Sequence, residues 1–118
     1  MASYHAAVAY DEDLAGRVRA LVSTESRLTE QKMFGGLAFL IAGHMAVAAS
    51  GQGGLLGRVD PATSEKLVAT TPAELMVMRG RPMQGCLRVG PEQLRTKRQL
   101  ARWVGLATSC VRSLPAKK

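Results

Sequence analysis

The feature that most limits this chain is the stretch from Lys32 to Val59, where three short apolar runs are separated by glycine-bearing breaks. Lys32 to Ile41 is the first run, Met45 to Ser50 the second and Leu55 to Val59 the third, with Gly51-Gln52-Gly53-Gly54 turning the chain before the last. Such runs read as strands, and connections this short favour antiparallel pairing. Gly35-Gly36 within the first run predicts a bulge or a close backbone approach. Met33 to Ser50 carries no formal charge apart from a titratable His44, and it has the length of a membrane span. Ala-Gly-His at 42–44 divides it, however, and paired glycines weaken a helix, so a β-hairpin is the expected structure and no membrane partner is expected.

Helical signals flank this block. Asp11 is a natural N-cap, and Glu12 and Asp13 suit a first turn. Leu14, Val18, Leu21 and Val22 then form one apolar helical stripe, which the polar stretch STESRLTE ends as a loop. Asp60-Pro61 starts a second helix, with a capping carboxylate followed by a proline that loses no needed donor. That helix runs to about Ala69, and Thr70-Thr71-Pro72 stops it. Leu75 to Arg79 and Gly85 to Val89 are a fourth and a fifth strand, and Gly90-Pro91 begins a turn. A last helix runs from about Thr96 to Leu114, with Leu100, Val104, Ala107 and Val111 at helical spacing and Trp103 at the edge of that face.

The predicted order is α-β-β-β-α-β-β-α. It favours an α+β fold of two layers, a five-stranded antiparallel sheet with helices on one face. The length, 118 residues, suits one domain with a real core, and the scarcity of aromatics, at 4%, makes that core aliphatic. No repeat or linker divides the chain. Two cysteines, Cys86 and Cys110, have neither metal spacing nor a disulfide framework, and no signal peptide precedes the first helix, so a cytoplasmic location is expected.

Net charge is +7 and the sequence pI is about 10.1. Residues 1–31 hold five acids against three bases, while residues 32–118 hold four against thirteen. This balance makes nucleic acid or another polyanion a candidate partner. Catalysis has little to work with. His5 lies near the start, His44 in a predicted turn, and Asp11, Glu12 and Asp13 at a helix start. Ser50 lacks the setting of a nucleophile elbow. The GQGG turn precedes a strand and opens no helix, so it matches no phosphate-cradling fingerprint. Met33, His44, Met45, Met83 and Cys86 have no metal-ligand spacing, so neither a metal nor a cofactor is expected.

The arginines remain. MRGRPMQGCLRV at Met78 to Val89 places Arg79, Arg81 and Arg88 around a bend made by Gly80, Pro82 and Gly85. By the two-residue period of a strand, Arg88 and Arg58 point to the face away from Leu87 and Val89. Arg58, Arg79, Arg81 and Arg88 are therefore the candidate contacts for phosphate or carboxylate, or else they clothe a polar outer face with their stems.

KMFGGLAFLIAGHMAV, SGQGGLLGRVDP, MRGRPMQGCLRV and LRTKRQLARWV, in that order and spacing, resemble the TfoX N-terminal domain family over about residues 10–115. The resemblance implies a two-layer α+β domain and a link to TfoX/Sxy proteins, bacterial regulators of natural competence that act on transcription. Those regulators carry a second, helical C-terminal domain, whereas this chain ends at Lys118, so a stand-alone N-terminal domain is implied. It supplies no catalytic residues, and Gly35, Gly36, Arg79, Gly80, Arg81 and Pro82 keep their reading as bulge and bend. The expected function is a non-enzymatic interaction domain, contacting nucleic acid without sequence preference or docking on a transcription-related protein. The alternative is an enzyme or small-ligand binder that uses the arginine face for an anion.

The compartment argument predicts that Cys86 and Cys110 are both reduced in the native protein. Intact mass with and without thiol alkylation should show two alkylated thiols, and a protein that takes up none without prior reduction contradicts the reading.

Overall fold

The computed structural model describes residues 10–33, 35–78 and 80–114. Helix α1, Glu12–Val22, starts where Asp11 accepts a hydrogen bond from the Leu14 N–H at 3.1 Å. Leu14, Ala15, Val18 and Val22 form its buried stripe. The first strand, β1, is Leu28–Met33, where the sequence reading had the end of a polar loop running into a single longer strand. Its middle reads Thr-Glu-Gln-Lys and is exposed, so no apolar alternation betrays it. Charged side chains on an edge strand discourage pairing with foreign chains. Glu30 also meets Arg19 of α1 in a two-pronged ion pair, with bonds of 2.6 and 2.9 Å.

β1 turns into β2, Gly36–Ile41, and Met33 pairs with Gly36. Gly35-Gly36 therefore closes a hairpin, and the irregularity in pairing lies farther on, between Phe39 and Leu40. A Cβ on Gly36 would stand 2.2 Å from the Ala49 carbonyl oxygen, a distance no other residue type can occupy. The expected hairpin follows: β2 pairs antiparallel with β3, His44–Ala49, across Ala42 and Gly43, both at positive φ. β4 is Leu55–Arg58. Then α2, Pro61–Thr70, leads to β5, Glu74–Met78, and β6, Arg81–Val89. Asp60 sits at the N-cap of α2, but its side chain makes no capping bond. After a 3-10 turn at Pro91–Gln93 comes α3, Lys97–Arg112, opened by a capping box between Thr96 and Gln99.

The fold is α+β, as expected, but the sheet has six strands and the element order gains one strand before α2. The sheet order is β1-β2-β3-β4-β6-β5, with every neighbouring pair antiparallel. Residues of all three helices join Leu37, Phe39, Val47, Leu55, Leu87 and Val89 in one core on one face of this sheet. Trp103 is 5% exposed, inside that core and not at its edge. No helix among the described residues is long and apolar enough to cross a membrane.

Trp103→Ala is expected to destabilise the protein by about 3–5 kcal/mol, the loss typical of a large aromatic removed from a packed core. Urea denaturation checks this. A loss below about 1 kcal/mol would mean that the indole does not pack as placed.

Candidate functional site

MRGRPMQGCLRV forms most of a hairpin. Met78 pairs with Arg81 across a turn containing Gly80, whose φ is +77°, and β6 then continues to Val89. Pro82 thus lies inside a strand. β4 pairs with β6 only at Cys86 to Val89, so Pro82 stands where β6 has a single neighbour and a missing donor is tolerated. Gly85 marks a bulge, where pairing jumps from Leu75↔Leu87 to Met76↔Met83. Its carbonyl accepts from the Val59 N–H at 2.9 Å, and its N–H donates to Ser64 Oγ at 3.2 Å. The bulge thereby ties β6 to the end of β4 and to α2.

The candidate arginines are not gathered into one site. Arg88 is half-buried; its Nη1 donates to Ser50 Oγ at 3.2 Å and its Nη2 to Gln52 Oε1, so it braces the turn between β3 and β4. It borders a cavity of about 230 Å³ shared with Leu56, Glu74 and Met76. Arg58 borders a different cleft, of about 400 Å³, with Pro61, Gln84 and Cys110. Arg81 is exposed beside the hairpin turn, and Arg79 lies outside the described residues. This dispersal disfavours a single anion pocket on the sheet.

The face turned away from the helices presents something else. Ala38, Ala48 and Leu56 form a second buried apolar cluster there, and Met33, Leu40, Met45 and Met76 pack around it while remaining half-exposed. Leu40 pairs with Met45 and Ala38 with Ala48, which puts these side chains side by side across β2 and β3. No residue of the three helices belongs to this cluster. Among the described residues no helix covers this face; its apolar centre is buried by its own neighbours and its rim is partly exposed, and an exposed apolar rim is a candidate contact surface. Thioethers are flexible and polarizable, so methionine suits a surface that must adapt to a partner. The signal was present in the sequence: GLAFLI does not alternate, as a strand with two apolar faces does not.

Cys86 stands on this face opposite Arg58, with its Sγ 3.5 Å from Met76 Sδ. Burial pushes its thiol up from the ordinary range, and the Arg58 charge only partly offsets this. That environment makes for an inert, packed cysteine and not an activated one. Cys86 and Cys110 are both free thiols. Among the described residues no group of three or more His, Cys, Asp or Glu side chains is placed to hold a metal ion.

Compared with known families, residues 20–111 match the TfoX N-terminal domain. Neither the curated proteins nor the solved structures contain a match to this chain.

The geometry separates backbone from charge in the MRGRPMQGCLRV hairpin. Gly80→Val should destabilise by about 1–3 kcal/mol, because a β-branched residue is strained at positive φ even though open space surrounds the site. Arg81→Ala, at an exposed position, should change stability by no more than about 0.5 kcal/mol. Chemical denaturation of both variants checks the pair; equal stabilities would refute the distinction.

Proposed function

This chain belongs to the TfoX N-terminal domain family, and from that premise we propose that it is a non-enzymatic interaction domain of the bacterial cytoplasm that acts in competence-related regulation of transcription. The observation that carries the reading is the helix-free apolar face around Ala38, Ala48 and Leu56, with its rim of half-exposed Leu40, Met45 and Met76. The partner that fits is a protein segment with an apolar side and flanking carboxylates. The apolar side covers the methionine rim. The carboxylates meet Arg58, which lies on the same face of β4 as Leu56, in a chain whose net charge is +7. Arg88 contributes to this surface by holding the adjoining turn in place through its bonds to Ser50 and Gln52.

The dispersal of the arginines weighs against the alternative of an anion-processing enzyme. A catalytic anion site needs its cations converging beside a group with a shifted pKa. The group with such a shift on this face is Cys86, and its thiol is shifted away from reactivity.

The test is affinity capture from nuclease-treated native cytoplasm, with wild-type protein and with the double variant Leu40→Gln/Met45→Gln. Both substitutions fall at half-exposed positions of the patch, so the variant should fold with a melting temperature close to wild type. A transcription-related protein is expected to be retained by wild type and reduced about tenfold with the variant, a loss of about 1.4 kcal/mol in binding. Equal recovery by both proteins, or retention that vanishes with nuclease, would refute docking through this face.

A further inference from the structure

On the helix side of the molecule, α1 and α3 are neighbours, and between them lies a cleft of about 450 Å³. Three cations line it: Arg17 from α1, Arg95 from the turn before α3, and Lys97 from the first position of α3. Leu21 and Leu100 supply apolar lining. Arg17 reaches across the cleft, its Nη2 lying 3.5 Å from the Arg95 carbonyl oxygen. Among the described residues no acid lines the cleft. The nearest carboxylates in sequence are Glu92, three residues before Arg95, and Asp13, one turn before Arg17; Asp11, which caps α1 by accepting from Leu14, borders the adjoining cleft with Arg17 and Arg95. Among the described residues the ion pairs are Arg19–Glu30 and Arg112–Glu25, and neither draws on these cations.

The positive charge continues along α3. Arg98 and Arg102 are exposed and one helical turn apart, which puts them on one face. At 1.5 Å of rise per residue, the α3 cations from Lys97 to Arg102 extend over roughly 7.5 Å, and Arg95 precedes the helix. A single small anion has no use for a row of that length, whereas a polymer of phosphates does. The N-terminus of α3 adds little, because its capping box already occupies the Thr96 and Gln99 N–H groups. The cations carry the argument.

We propose that the cleft between α1 and α3 binds the phosphodiester backbone of nucleic acid. Long cationic side chains address phosphates and not base edges, so binding is insensitive to base sequence and strongly dependent on salt. The site is distinct from the apolar sheet face and does not rest on the docking role given to that face.

Fluorescence anisotropy with a short labelled duplex of arbitrary sequence, titrated at several salt concentrations, tests the proposal with three proteins. The first is wild type, the second Arg17→Ala/Arg95→Ala/Lys97→Ala, and the third Lys32→Ala/Lys66→Ala/Arg81→Ala, which removes the same charge from exposed positions elsewhere. Each phosphate contact contributes about 0.9 to the slope of log affinity against log salt. The cleft variant should therefore flatten the slope by about two to three units and bind at least about tenfold more weakly at low salt, while the control changes the slope by less than about one. If the triple cleft variant has a lowered melting temperature, Arg95→Gln/Lys97→Gln, at two exposed positions, should flatten the slope by about two units. Equal losses in the cleft and control variants would reduce the effect to net charge and overturn the site. Absence of binding by wild type at low salt would overturn it too. Tighter binding to phosphatidylserine-containing vesicles than to duplex, lost in the same cleft variant, would reassign the cleft to an anionic membrane surface. Displacement of the duplex by inorganic tripolyphosphate at matched phosphate concentration would reassign it to a small polyphosphate.

Discussion

The antiparallel ladder between β4 and β6 holds the rest of the structure together. β1 to β4 form a meander of near neighbours in sequence, and β5 and β6 form a hairpin, each closed by short turns. Leu55↔Val89, Leu56↔Arg88, Gly57↔Leu87 and Arg58↔Cys86 join these two pieces into one sheet across the intervening α2. Closing such a loop costs entropy, and pairing alone offsets little of it. The compensation comes from burial along the seam. Leu55 and Leu87 are fully buried and Val89 nearly so, and each such side chain contributes about 1.5–3 kcal/mol on leaving water. α3 lies over the same region, packing on β3 and β4, so its Leu100, Trp103 and Val104 share that core. The Gly85 bulge fastens the seam from outside, through Val59 and Ser64.

Both proposed surfaces depend on this seam. The apolar face is continuous from Ala38 on β2 to Met76 on β5 only because β4 and β6 are paired. Arg88 reaches from β6 across the same junction to Ser50 and Gln52 and fixes the turn at its border. On the helix side, the position of α3 over the sheet brings Arg95 and Lys97 up to Arg17 of α1. The two surfaces lie on opposite sides of the sheet. A protein docked on the methionine-rimmed face leaves the cation-lined cleft open, so the two proposed partners do not compete.

Much of the fold was legible in the sequence because local chemistry and global packing agree there. The Asp11 cap and the Leu14–Val18–Val22 stripe specify α1, and the turn at Ala42-Gly43 divides an apolar run that has the length of a membrane span. β1 was hidden because an edge strand with polar middle residues has no apolar alternation to report, and its pairing with β2 is set by the Gly35-Gly36 turn. Pro82 read as a bend for a similar reason, since nothing local shows that one side of β6 lacks a neighbour at that point. The candidate arginines were legible as charges but not as a constellation. Period-2 alternation gives the face of Arg88 correctly, yet only the tertiary structure reveals that Ser50 and Gln52 already engage it. Arg17 and Arg95 are 78 positions apart, and no sequence pattern announces that they line one cleft.

Native-state hydrogen exchange across the sheet tests the seam most directly. If the β4–β6 ladder carries the fold, its amides and those of the β2–β3 ladder exchange with the same opening free energy, equal to that of global unfolding. If instead α2 and the β5–β6 hairpin open well below that value while β1 to β4 stay protected, the sheet is two units and the account is wrong.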